Sequence, residues 1–122
     1  MARSKYHSKK VIIDGIKFDS KREGEYYQKL KILLKQGLIK DLELQKEYLL
    51  QDKFVINGKT RRKITYRADF VYYDVKEGKQ HVVDVKSKFT AKEKVYRLKK
   101  KLFEYKYGIE LEEVIWWKYG KI

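Results

Sequence analysis

Two apolar runs, Ile64 to Tyr73 and Gln80 to Lys86, lie either side of a Glu77-Gly78 turn signal, and each carries a carboxylate inside it. Alternating apolar residues bounded by a glycine turn predict a β-hairpin. A four-residue loop from Val75 to Gly78 pairs Asp74 with Lys79, and that register sets Asp69 opposite Asp84. Opposed residues share a face of the sheet, about 5 Å apart at Cβ. Lys86 follows Asp84 by two and joins that face, whereas His81, Val83 and Val85 take the other. Carboxylates in an apolar strand pair are costly to desolvate unless a cation compensates them.

The charge balance narrows the cation's purpose. The formal charge is +14 over 122 residues, a field that draws in polyanions, of which nucleic acid is the commonest in a cell. No apolar run approaches the roughly 20 residues of a membrane span, and the start lacks the apolar core of a secretory signal, so no membrane partner and a cytoplasmic location are expected. With no cysteine and only His7 and His81, a metal must be a hard cation held by oxygens: magnesium, with manganese able to substitute. The length predicts one domain over residues 1–122, with residues 1–10 as a flexible basic arm.

Around the hairpin, Val11 to Phe18 forms two short runs about Asp14-Gly15, a tight-turn signal. Ser20 and Glu23 read as a capping box opening a helix with Tyr26, Leu30, Leu33 and Leu34 at helical spacing, stopped near Gly37. Leu42 to Gln45 alternates as a strand, Phe54 to Ile56 runs into an Asn57-Gly58 turn, and Ala91 to Tyr107 reads as a second helix through Val95, Leu98, Leu102 and Phe103, closed by Gly108. Leu111 to Trp117 is a last strand. The expected fold class is α/β, a mixed β-sheet flanked by helices.

Hydrolysis of a phosphodiester requires an activated water and neutralisation of charge on the phosphoryl group and the leaving oxygen. The expected site takes Asp69 and Asp84 as metal ligands with the Val85 carbonyl, Lys86 orienting or helping to deprotonate the water, and Glu23 reaching in from the helix. Each has a plainer reading: Glu23 completes the capping box, Asp69 pairs with Arg67 or Lys63, and Asp84 with Lys86 is a surface ion pair worth under about 1 kcal/mol. Glu25 is the nearest rival to Glu23 but lacks the Ser-x-x-Glu register. Gln45 either points toward the site from its strand or, as the plainer reading, is an ordinary surface glutamine, and His81 reads as structural. Lys92, Lys94, Arg97, Lys99, Lys100 and Lys101 are candidate contacts to a DNA backbone or a merely solvated helix face. Trp116 and Trp117 are possible base-stacking groups.

The order Glu23, Asp69, Asp84, Lys86 resembles the signature of the PD-(D/E)XK nuclease superfamily. The stretches Phe18 to Glu23 and Tyr66 to Phe70 resemble those of the phage Holliday junction-resolving endonucleases and of a group of small phage proteins. Ala68 stands where that motif usually has proline, and Asp84 where it more often has glutamate. The resemblance implies a restriction-endonuclease-like core and a magnesium-dependent endonuclease. It also implies a branched DNA substrate and a homodimer making paired incisions, in a host cytoplasm if the chain is phage-encoded. Two alternatives stay open: a nuclease acting on plain duplex, nicked or single-stranded DNA, and a nucleic-acid-binding module without catalysis.

Overall fold

The computed structural model describes residues 10–117 and 120–121; the basic arm expected over residues 1–10 lies, except for Lys10, outside them. The chain runs β1 (Val11–Ile13), β2 (Ile16–Phe18), α1 (Lys21–Lys35), β3 (Ile39–Gln51), β4 (Phe54–Ile56), β5 (Lys59–Arg61), β6 (Ile64–Asp74), β7 (Lys79–Ser87), α2 (Lys94–Tyr107), β8 (Leu111–Trp117) and β9 (Gly120–Lys121), with a 3-10 turn at Thr90–Lys92. Five strands form one sheet in the order β3-β6-β7-β8-β9, antiparallel except for β7 beside β8. This is the mixed α/β architecture expected, with a helix packed on each face.

Local chemistry sets the boundaries. Ser20 caps α1 by accepting from the Glu23 amide at 3.1 Å. The helix closes with Gly37 at φ +74°, its amide bonded to the Leu34 carbonyl while Leu38 bonds to Leu33; this pair of bonds satisfies carbonyls the helix leaves free. Gly24 lets α1 sit close to the first hairpin, since a Cβ there would come within 2.8 Å of the Val11 and Ile13 side chains. Phe18, Tyr27, Leu30, Ile39, Phe70 and Val83 fill the α1 side of the sheet. Tyr48, Tyr66, Ala68, Val82, Tyr96, Phe103 and Leu111 fill the α2 side.

The face of α2 differs from expectation. Val95, Leu98 and Leu102 are exposed; Phe103 is buried as expected, and its partner on the buried face is Tyr96. These residues, seven apart, stack toward the Tyr48 and Tyr66 rings, and aromatic burial outweighs that of the smaller aliphatic stripe. The helix also begins at Lys94 rather than Ala91, after the separate 3-10 turn.

The expected register of β6 and β7 is present, with Asp74 opposite Lys79 and Phe70 opposite Val83. The ladder stops there, one step short of Asp69 and Asp84. A second irregularity lies beside it on β3, where Leu44 pairs with Phe70 and Lys46 with Ala68, but Gln45 between them is left-handed, at φ +53°. Leu42 and Leu44 pack on the α1 side, Tyr48 and Leu50 on the α2 side; likewise Phe70 and Tyr72 face α1, Tyr66 and Ala68 face α2. Both strands change sides at the same place, Gln45 on one and Asp69 on the other.

Candidate functional site

Where the β6–β7 ladder opens, carboxylates replace the missing backbone bonds. The Asp69 amide donates to Asp84 Oδ1 at 2.8 Å, and the Val85 amide donates to Asp69 Oδ2 at 2.9 Å. Each strand thus hands its aspartate to the other's backbone, and the two strands diverge into a cleft of about 480 Å³. Glu23 and Asp69 line this cleft with Val85 and Lys86. Glu23 is buried, and Gln45 Nε2 donates to Glu23 Oε1 at 3.0 Å and to Asp69 Oδ1 at 3.1 Å. Glu25, its rival, is exposed and paired with Arg22.

Asp84 lies beneath the cleft rather than on its wall. It is only 2 % exposed, and Tyr66 donates its hydroxyl to Asp84 Oδ2. The surface ion pair considered from the sequence is therefore excluded by burial. Lys86 Nζ stands 4.0 Å from that same oxygen and 4.2 Å from the centre of the Tyr96 ring, a face that attracts a cation. Tyr96 is fixed in turn by its hydroxyl bond to Glu113 at 2.6 Å. Arg67 faces Glu47 at 3.9 Å, so the alternative pairing for Asp69 is not made.

Burial pushes the pKa of Glu23 up to about 8, and the Asp69 and Asp19 carboxylates push it the same way. Burial likewise carries Asp84 up to about 6, against the Asp69 amide and the Lys86 ammonium. Asp69 is raised by burial too, opposed by the Val85 amide, Gln45 and Lys86. Three acids are thus held where burial disfavours their anions.

The family model described as a protein of unknown function, DUF1064, matches residues 3–119. The chain belongs to this family. No curated protein and no solved structure matches it.

In this DUF1064 chain the donor set suits a hard divalent ion, being carboxylate oxygens without sulfur or imidazole. Glu23 and Asp69 would hold it from the cleft, with Asp84 as the third carboxylate at the same opening. Val85 lines the cleft and gives its amide to Asp69. Elsewhere, Asp74, Glu77 and His81 bring ligating atoms within 4.8 Å of one another. There His81 bonds Glu77 at 2.9 Å and also Glu112, and stacks on Tyr72, so its role as a structural residue accounts for the group.

Of the candidate backbone-contact cations, Lys92 in the 3-10 turn and Lys94, Arg97 and Lys101 on α2 are exposed, and Lys99 is half-buried. Lys100 is committed to Glu113 at 3.5 Å. The side chain of Trp117 lies outside the described residues, and Trp116 sits by the cleft under Arg22. Among the described residues no helix is long and apolar enough to cross a membrane.

Gln45, for which the plainer reading is an ordinary surface residue, instead reaches both site acids. A left-handed non-glycine residue costs about 1–2 kcal/mol, and such strain persists where surroundings over-determine it, often at functional sites. Gln45→Gly relieves that conformation while removing the amide that donates to both acids. Stability measured by urea unfolding is expected to stay within about 1 kcal/mol of the parent, while metal-dependent activity falls roughly 10–100-fold, as for other groups that orient ligands. Unchanged activity with a large loss of stability would assign Gln45 a purely structural role.

Proposed function

We propose that this chain is a magnesium-dependent DNA endonuclease acting on branched DNA as a homodimer in the cytoplasm. The observation that carries the reading is one cleft lined by Glu23, Asp69 and Lys86, with Asp84 directly beneath it and bonded to the Asp69 amide, in a strongly basic protein. A divalent ion bound there neutralises phosphoryl charge and lowers the pKa of water. Lys86, held on the Tyr96 ring, places a positive charge at the cleft to orient the attacking water and balance charge on the phosphate. Gln45 donates to both the Glu23 and the Asp69 carboxylates and so fixes their positions at the cleft. The exposed cations of α2 are offered to the DNA backbone. Paired incision of a junction requires two such sites, hence two copies of the chain.

The burial of Asp84 under Tyr66 favours a second reading, a DNA-binding module in which these acids serve the strand opening alone. Incubating labelled four-way junction and linear duplex with protein, in magnesium, manganese or chelator, decides between them. Cutting of the junction with either ion, and none with chelator, is the expected result. Equal rates on duplex would withdraw the junction preference, and binding without cutting would leave the module.

A further inference from the structure

Beyond Gln51 and before Ile64 the chain leaves the main sheet. Strands β4 and β5 pair only with each other, through an Asn57-Gly58 turn with both residues at positive φ. Every residue from 51 to 64 is exposed. An isolated two-stranded hairpin is marginal in water, and this one leaves Phe54, Val55 and Ile56 uncovered. Residues 53–63 also carry five cations, Lys53, Lys59, Arg61, Arg62 and Lys63, and no acid. Phe54 lies opposite Arg61 and Ile56 opposite Lys59. One face of the ribbon therefore presents an apolar row beside a basic row.

We propose that this hairpin is a nucleic-acid-gripping arm, a ribbon that lies in a groove of duplex DNA with Lys59, Arg61 and Arg62 on phosphates and Phe54 and Ile56 against sugars and base edges. It rests on the reading of DNA as substrate. The major groove admits a two-stranded ribbon, and apolar side chains on such elements can wedge at base steps. A second copy of this chain is a poor occupant, because it would bring two sets of these cations together with no acid between them. The arm is continuous with the strands that carry Gln45 and Asp69. Ile64 precedes Asp69 by five residues, about 17 Å along a strand, or half a turn of duplex. A duplex seated at the carboxylates thus passes within the arm's reach.

The test is anisotropy of a labelled duplex with full-length protein in chelator, between 50 and 200 mM salt. Lys59→Ala/Arg61→Ala/Arg62→Ala is expected to lower the slope of log affinity against log salt by about 2–3, shrinking the salt-induced loss of affinity roughly 40-fold. Phe54→Ser/Ile56→Ser is expected to weaken binding at every salt concentration with the slope unchanged. All five positions are exposed, and thermal unfolding checks that both variants stay folded. Parental affinity and slope in both variants overturn the proposal, as does a parent that does not bind duplex. A drop in solution mass from dimer to monomer with DNA binding intact would reassign the arm to self-association, and also overturns it. With metal absent, these outcomes are independent of cleavage: arm-dependent binding without cutting in magnesium sinks the nuclease and keeps the arm, and cutting without arm dependence does the reverse.

Discussion

Asp84→Asn is expected to abolish magnesium-dependent cleavage, by at least about 1000-fold, while the protein becomes more stable without metal at alkaline pH. The two effects have opposite signs for one reason. Asp84 is almost fully buried and its pKa stands at about 6, so above that pH the folded state holds a poorly solvated anion. Asparagine keeps the shape. Its carbonyl accepts from the Asp69 amide as Asp84 Oδ1 does, and its NH2 reverses the bond with Tyr66. What is lost is the charge that a metal and the Lys86 ammonium need. Several kcal/mol of metal-derived stabilisation of the transition state correspond to about a thousandfold in rate at 1.36 kcal/mol per decade. Kinetics with the preferred DNA and thermal unfolding at pH 8.5 in chelator test the pair. Cleavage at the parental rate would remove Asp84 from the site.

The second large effect is on stability as a function of pH. In the unfolded chain Glu23 ionises near 4.5; in the fold its pKa is raised to about 8 by burial and by Asp69 and Asp19. Below pH 4.5 both states carry the proton and nothing is lost. As the pH rises from there to about 8 the unfolded chain releases a proton that the folded one keeps, so stability declines across that window and levels off above it. Glu23→Gln does not titrate. The variant is therefore expected to gain on the parent as pH rises from 5 to 9 in chelator, by on the order of 3 kcal/mol at the upper end. Comparing variant with parent cancels the titration of groups distant from Glu23, so the difference reports the Glu23–Asp69 pair. Magnesium should narrow this gap, because the ion takes the place of the shared proton between Glu23 and Asp69, and its stabilising effect on the parent should be larger at pH 8.5 than at pH 6. Parallel curves for parent and variant, with and without metal, would mean that Glu23 is not paired with Asp69 in this way.

Both effects depend on a site whose parts were unequally visible in the sequence. Glu23 was legible through Ser20, because the capping register identifies which glutamate starts the helix on its inner side. Asp84 and Lys86 were legible through alternation, and their face was read correctly: Lys86 stands over Tyr96 on the α2 side, while Val83 and Val85 lie on the α1 side. The contact face of α2 was misread because spacing alone ranks Val95, Leu98 and Leu102 beside Tyr96 and Phe103, and only the sheet's own aromatic rings decide which stripe they accept. Alternation lets Gln45 face the site, but a glutamine on the polar side of a strand reads first as a surface residue, and nothing local signals its left-handed backbone.

The sequence by itself determined the elements, their turns and the register that brings Asp69 level with Asp84, because each rests on local chemistry: glycine at positive φ, a serine cap, a period of two. It could not determine which side of the sheet each half of a strand would face. Leu42, Leu44, Tyr48 and Leu50 share one parity, as do Tyr66, Ala68, Phe70 and Tyr72, and read alone each row belongs to a single face. Only the packed sheet, with α1 on one side and α2 on the other, gives both halves apolar cover by turning the strands over at Gln45 and Asp69. That reversal breaks the ladder, leaves backbone amides without partners, and sets the carboxylates of Asp69 and Asp84 in their place.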